Sequence, residues 1–194
     1  MFTSRIAQIA AIAFLAAGAL AARTPFAQAE TLSDLVGRSL DLRVVALDGD
    51  TVLVMEAPTP AIEPGATRLR LWGVAAPEMK TLEGWHSRAV LDELLSRAEL
   101  RVSCQVVDVT ERGRLVGRCS SERDGDLGFA LQAAGATTSY RVFTWRDAMT
   151  DAEAAAAAAA YDAAEYEAVK RRRGIWARLP AVDLSFLDEA PPAN

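Results

Sequence analysis

Two arginines, one glutamate and a pair of aspartates carry the clearest chemistry in this 194-residue chain: Arg70, Arg114, Glu78, Asp48 and Asp50. Together they could serve the attack of water on a phosphodiester. That transition state gathers negative charge on the phosphate oxygens, and preorganised cations must meet it. Arginine suits the task because its planar fork bonds two oxygens at once. A carboxylate takes or orients a proton of the water, which would fall to Glu78. A hard divalent cation needs oxygen ligands, which Asp50 and Asp48 can offer. Each residue also has an ordinary explanation. Arg70, among Leu69, Leu71 and Trp72, fits an outward strand position. Asp48 and Asp50 flank a glycine, as turn residues do. Arg114 could pair with Asp108 or Glu111 across a hairpin. It is their joint occurrence, in order, that favours a site.

The elements that must position these residues are mostly strands. Ser39–Leu47 alternates, Asp48-Gly49-Asp50 is a turn signal, and Thr51–Glu56 completes a hairpin. A proline-rich loop, Ala57–Ala66, leads to a third strand over Thr67–Val74, which carries Arg70. Glu83–Ala98 has Ala89, Val90, Leu94 and Leu95 at helical spacing. Leu100–Val109 and Arg114–Ser120 form two more strands about the turn at Thr110–Gly113. A short helix over Asp126–Ala134 stops at Gly135, a candidate left-handed cap. A long one opens on the Thr150/Glu153 capping box, runs through seven alanines and ends at Lys170-Arg171-Arg172-Arg173 before Gly174. This order predicts an α+β, mostly β, fold: a five-stranded OB-type barrel with a helix between strands three and four and C-terminal helices.

Composition narrows the function classes. The single histidine, His86, excludes chemistry that needs two, and Cys104 and Cys119 alone cannot complete a zinc site. His86 is expected on the surface. The two cysteines sit symmetrically about the last hairpin, so cross-strand opposition predicts a disulfide, with two buried thiols as the alternative. Residues 1–29 read as an export signal: Arg5, an apolar run over Ile6–Ala22, then Ala27-Gln28-Ala29 as a cleavage site. An uncleaved membrane anchor is the alternative. Either way the domain, residues 30–179, is expected outside the cytoplasm, in the periplasm or secreted, followed by a loosely held tail over 180–194 with Pro191-Pro192. Removing the leader takes away Arg5 and Arg23 and shifts the net charge from −5 to −7. An acidic chain binds nucleic acid only through a local cationic cleft.

Asp48-Gly49-Asp50-Thr51, the strand with Arg70, Pro77-Glu78, Gly113-Arg114 and the closing Gly174-Ile175-Trp176 resemble the motif set of the staphylococcal nuclease (thermonuclease) family, especially its exported bacterial members. The similarity spans roughly residues 39–177, and Asp126–Leu131 before Gly135 also fits. The resemblance implies an OB-type barrel and a calcium-dependent phosphodiesterase acting on DNA and RNA, here as a monomer. It implies that Arg70 and Arg114 bind the phosphate and that Glu78 is the general base. It implies Asp50 and the backbone carbonyl of Ala76 as calcium ligands, with Asp48 as a further candidate, and Tyr140 against the nucleotide. One position departs from the pattern. The family carries an aspartate where this chain has Ala75, and a methyl group cannot coordinate calcium. Affinity follows ligand charge count, so calcium is expected to bind weakly, in the mM range, or not at all. The alternative expectation is a catalytically impaired module that binds nucleic acid, another anionic ligand or a protein partner.

Overall fold

A computed structural model describes residues 29–142 and 148–178. The predicted signal up to residue 28, Trp145 and the predicted tail lie outside the described residues. Strand β1 (Ser39–Ala46) alternates as its sequence requires, with Leu40, Leu42, Val44 and Ala46 inside. The Asp48–Asp50 turn delivers it antiparallel to β2 (Thr51–Glu56), which pairs antiparallel with β3 (Arg68–Leu71). Strand β5 (Arg101–Val109) pairs antiparallel with β1 and with β6 (Leu115–Ser121). A parallel pairing of β3 with β6, with Leu69 opposite Leu115 and Arg70 opposite Val116, closes the ring. The result is the expected five-stranded barrel, its interior filled by such residues as Val54, Leu69, Leu71, Val106 and Leu115. Closure removes the exposed edges that an open sheet of this length would present.

The predicted third strand does not run unbroken from Thr67 to Val74. It breaks after Leu71 at Trp72-Gly73, where Gly73 adopts φ +80°, a conformation that favours glycine. The chain then leaves the barrel as a two-residue strand, β4 (Val74–Ala75), which pairs antiparallel with another, β8 (Thr138–Ser139). Alternation alone gives no warning of this break. It is nonetheless what turns residues 74–78 toward the start of β2.

Helix α1 (Leu82–Arg97) is N-capped by the Thr81 hydroxyl, which accepts from the Gly84 N–H at 3.0 Å. Its buried stripe is Gly84, Ser87, Leu91, Leu94 and Leu95, while Ala89, expected on the inner face, is exposed. The leucines define the stripe, and alanine tolerates either side. His86 is exposed as expected. After the small strand β7 (Gly125–Asp126), α2 (Leu127–Ala133) ends at Gly135 with φ +67°, the predicted left-handed cap. The Thr150/Glu153 capping box opens α3 (Asp151–Lys170). Alanines 154, 157, 164 and 168 line its buried stripe around Tyr161. Those small side chains let α3 approach α2 closely, and Tyr161, 1% exposed, lies where a Cβ on Gly73 or Gly128 would clash with its ring.

Cys104 and Cys119 face each other across β5 and β6 and are bonded to each other. The 15-residue separation gives a chain-entropy contribution of about 3 kcal/mol. Replacing both cysteines by serine is therefore expected to lower the thermal midpoint by roughly 10 °C in a calorimetric scan, with the helices and barrel retained. No helix among the described residues is long and apolar enough to cross a membrane.

Candidate functional site

The ends of β2, β3 and β4 meet at one rim of the barrel, and Asp50 is its centre. Asp50 is 3% exposed. Its Oδ1 lies 2.6 Å from Arg70 Nη1 and accepts from the Thr51 hydroxyl at 3.0 Å. Its Oδ2 accepts from the Ala76 backbone N–H at 2.5 Å. The Asp50 N–H in turn donates to Asp48 Oδ1 at 3.0 Å, the local closure that sets the Asp-Gly-Asp turn. Gly49 is needed for close approach: a Cβ there would sit 2.3 Å from Ser87 Oγ and 2.7 Å from the Ala76 Cβ. Helix α1, the turn and the β4 loop are thus in contact at this point. Burial pushes the Asp50 carboxyl up to about 6, against the pull of Arg70 and the Ala76 N–H. It is ionised at neutral pH and protonates on mild acidification.

Arg70 is held from several sides. Nη1 meets Asp50, Nη2 donates to the Val74 carbonyl at 2.9 Å, and the guanidinium lies 5.6 Å from the Tyr140 ring centre. Its Nε–H is buried with no acceptor among the described residues. A donor left in that state is costly unless a ligand or solvent meets it. Tyr140 is fixed next to Arg70 because its N–H donates to the Gly73 carbonyl at 2.9 Å. Arg141 adds a second clamp, donating to that same carbonyl at 2.7 Å and to Asp162 on α3 at 2.6 Å. Below them, Tyr161 donates to Asp126 at 2.5 Å, and Arg118 donates to the other oxygen of the same carboxylate at 2.6 Å. Helix α3 therefore holds the site loop in place without lining it.

The remaining expected residues make no hydrogen bond or ion pair with Asp50 or Arg70. Glu78 is exposed, two residues beyond Ala76, and its carboxylate makes no hydrogen bond or ion pair among the described residues. Its carbonyl accepts from the Thr81 N–H and hydroxyl, which ties the loop to the start of α1. Arg114 is on the same outer face of the β3–β6 pair as Arg70, since Leu69 and Leu115 both point inward. Arg114 lies two positions before Val116, the register partner of Arg70. Neither Asp108 nor Glu111 pairs with it. Instead Arg114 lines a depression with Arg68 and Arg112 at the β5–β6 turn. The structure thus brings Asp50, Arg70, Ala76 and Tyr140 together, while Glu78 follows Ala76 by two residues and Arg114 shares the outer strand face of Arg70.

The donors at the rim do not fit a tightly held calcium ion. Both Asp50 oxygens are already bonded, position 75 offers a methyl group, and Ala76 turns its N–H rather than its carbonyl to Asp50. No cluster of three or more His, Cys, Asp or Glu side chains suited to a metal exists among the described residues. Calcium takes six to eight oxygen ligands from carboxylates, carbonyls and waters, and its affinity follows the number of carboxylates among them. Residue-type reasoning alone did not find the Arg141 clamp or Arg68 and Arg112. Arg68 was nonetheless signalled by its strand spacing of two from Arg70, and Arg141 by following Tyr140 directly.

The fold and the rim define a closed five-stranded barrel with a buried carboxylate–arginine pair beside an aromatic ring. Comparison of the chain with known protein families and with curated proteins yields no match.

Proposed function

We propose that this protein is an exported, nuclease-like module that binds single-stranded DNA or RNA through its phosphodiester at the rim formed by Arg70, Tyr140 and Arg114, with hydrolysis impaired by the alanine at position 75. The observation that carries this reading is the Arg70 guanidinium, held in place by Asp50 and the Val74 carbonyl, 16% exposed at the rim and 5.6 Å from the Tyr140 ring centre. A phosphate can pair with the exposed edge of the guanidinium, and a neighbouring base can lie on the aromatic face. Arg114 adds a second cation on the same face. Export is the compartment that suits a disulfide-bonded barrel. The test is anisotropy of a labelled thymidine octamer with the purified protein, in EDTA and in 10 mM calcium. The expected outcome is binding that EDTA leaves unchanged, with no cleavage of the oligonucleotide. No binding in either buffer refutes the proposal.

A second reading retains turnover, with Glu78 as general base and a weakly held divalent cation. The exposed, unengaged Glu78 carboxylate favours it, because a base must be free to reach water. Under that reading, 10 mM calcium or manganese produces cleavage that Glu78→Gln abolishes while octamer binding survives.

A further inference from the structure

Beside the rim, on the side away from Asp50, lies a depression of about 790 Å³ between the β2–β3 loop and the β5–β6 turn. Arg68, Arg112 and Arg114 line it. Arg68 and Arg114 flank each other directly, one step before the Leu69–Leu115 pair on adjacent parallel strands, about 4.8 Å apart. Like charges so placed repel and weaken a sheet. Glu63 and Glu111 border the same depression, yet neither lies within ion-pair distance of any of the three arginines. Elsewhere in the molecule Arg38, Arg43, Arg97, Arg118 and Arg141 each hold a carboxylate. Acids outnumber bases by 26 to 21, so the chain had partners to spare for this trio. The turn is also built to keep its shape: Thr110 Oγ1 accepts from the Arg114 N–H at 3.1 Å, the Thr110 N–H donates back to the Arg114 carbonyl at 2.9 Å, and Gly113 takes φ +71°.

We infer that this depression is a second phosphate site, built by Arg68 and Arg112 and sharing Arg114 with the rim, which holds the phosphate next to the one bound at Arg70 on the same single-stranded nucleic acid. Arg68 and Arg70 share the outer face of β3 two residues apart, about 6.6 Å along the strand, so one extended ligand can run from one site into the other. Guanidinium forks suit the phosphate, and removing their mutual repulsion adds to the gain. The inference rests on the proposed nucleic-acid reading of the rim and extends it. It makes the protein a reader of at least two successive phosphates rather than of a lone anion.

The experiment compares wild type with Arg68→Ala/Arg112→Ala, both at exposed positions. Binding of a thymidine octamer is followed between 50 and 200 mM NaCl, alongside a thymidine dinucleotide with one phosphodiester and inorganic pyrophosphate. The expected result is octamer affinity lower by roughly tenfold in the variant. The slope of log affinity against log salt becomes shallower by about 0.7, the value for one lost phosphate contact on a single strand. The dinucleotide, which fills only the Arg70 site, binds both proteins alike. If the double variant fails to fold, Arg112→Ala alone replaces it. Unchanged octamer affinity and slope overturn the second site while leaving the rim reading intact. An octamer that wild type does not bind overturns both. Pyrophosphate binding that the variant loses, without octamer binding, overturns the nucleic-acid occupant.

Discussion

Replacing Arg70 by alanine is expected to cost about 2 kcal/mol of stability at neutral pH, a fall of several degrees in thermal midpoint. The reason is Asp50. Its carboxylate is 3% exposed and ionised at neutral pH, and Arg70 is the cation that compensates it. Removing the partner strands a buried charge, which is far costlier than the pair itself is stabilising. The effect has a defined pH dependence. Burial raises the folded Asp50 carboxyl from the ordinary 3.8 to about 6, so the folded state binds its proton more tightly than the unfolded chain does. Stability from this group is therefore greatest below about 4 and is lost as the pH rises through about 6. Without Arg70 the carboxyl rises further, so the penalty of the alanine variant shrinks on acidification. Urea unfolding at pH 5 and pH 7.5 checks this: the difference between wild type and Arg70→Ala should be smaller at pH 5. Combining Arg70→Ala with Asp50→Asn should recover much of the loss, because the amide carries no charge to strand. A variant that is as stable as wild type at pH 7.5 would show that Asp50 finds another compensating group. The same coupling warns that lost oligonucleotide binding in Arg70→Ala must be judged against its folded fraction.

Much of the barrel was legible because its cause is local. The alternation of β1, the Asp-Gly-Asp turn, the Thr150/Glu153 capping box and the positions of Cys104 and Cys119 about a hairpin are short-range signals, and each element formed where they placed it. The break at Trp72-Gly73 was not legible, because its cause is non-local. Gly73 is turned by Tyr140, Arg141 and Tyr161, which arrive from more than sixty residues downstream. The site shows the same division. Residue types point to Asp50 and Arg70 and the family resemblance to Tyr140, and Arg70 meets both of the others. Residue types could not show that Asp50 would accept from the Ala76 N–H and bind Arg70 instead of staying open to a cation. Arg114 shares its depression with Arg112 from its own turn and with Arg68, and Arg68 arrives across a parallel pairing that no contiguous string of sequence encodes.

Ala75→Asp is expected to create a calcium response where the wild-type rim has too few free donors for tight binding. Position 75 lies half-buried on β4, next to Ala76, with its carbonyl accepting from the Thr138 hydroxyl at 3.3 Å, so the backbone is already fixed by the pairing with β8. A carboxylate introduced there adds a second negative charge close to Asp50, and the two acids repel unless a cation lies between them. Two consequences follow from that repulsion. Without calcium the variant should be less stable than wild type, by about 1–2 kcal/mol, and its Asp50–Arg70 pair should be strained by competition for the guanidinium. With calcium the loss should reverse: at a concentration 100 times the dissociation constant, a ligand that binds only the folded state adds about 2.7 kcal/mol. Thermal melts of both proteins in EDTA and in 10 mM calcium measure this directly. The expected pattern is a wild-type midpoint that calcium leaves within about a degree, against a rise of several degrees for Ala75→Asp. If the impaired-nuclease reading is right, the same variant gains calcium-dependent cleavage of the thymidine octamer, and adding Glu78→Gln removes cleavage while leaving the thermal shift in place. A variant that gains neither the shift nor the cleavage would mean that residue 75 is not what limits this rim, and that the geometry fixed by the Asp50–Arg70 pair governs it instead.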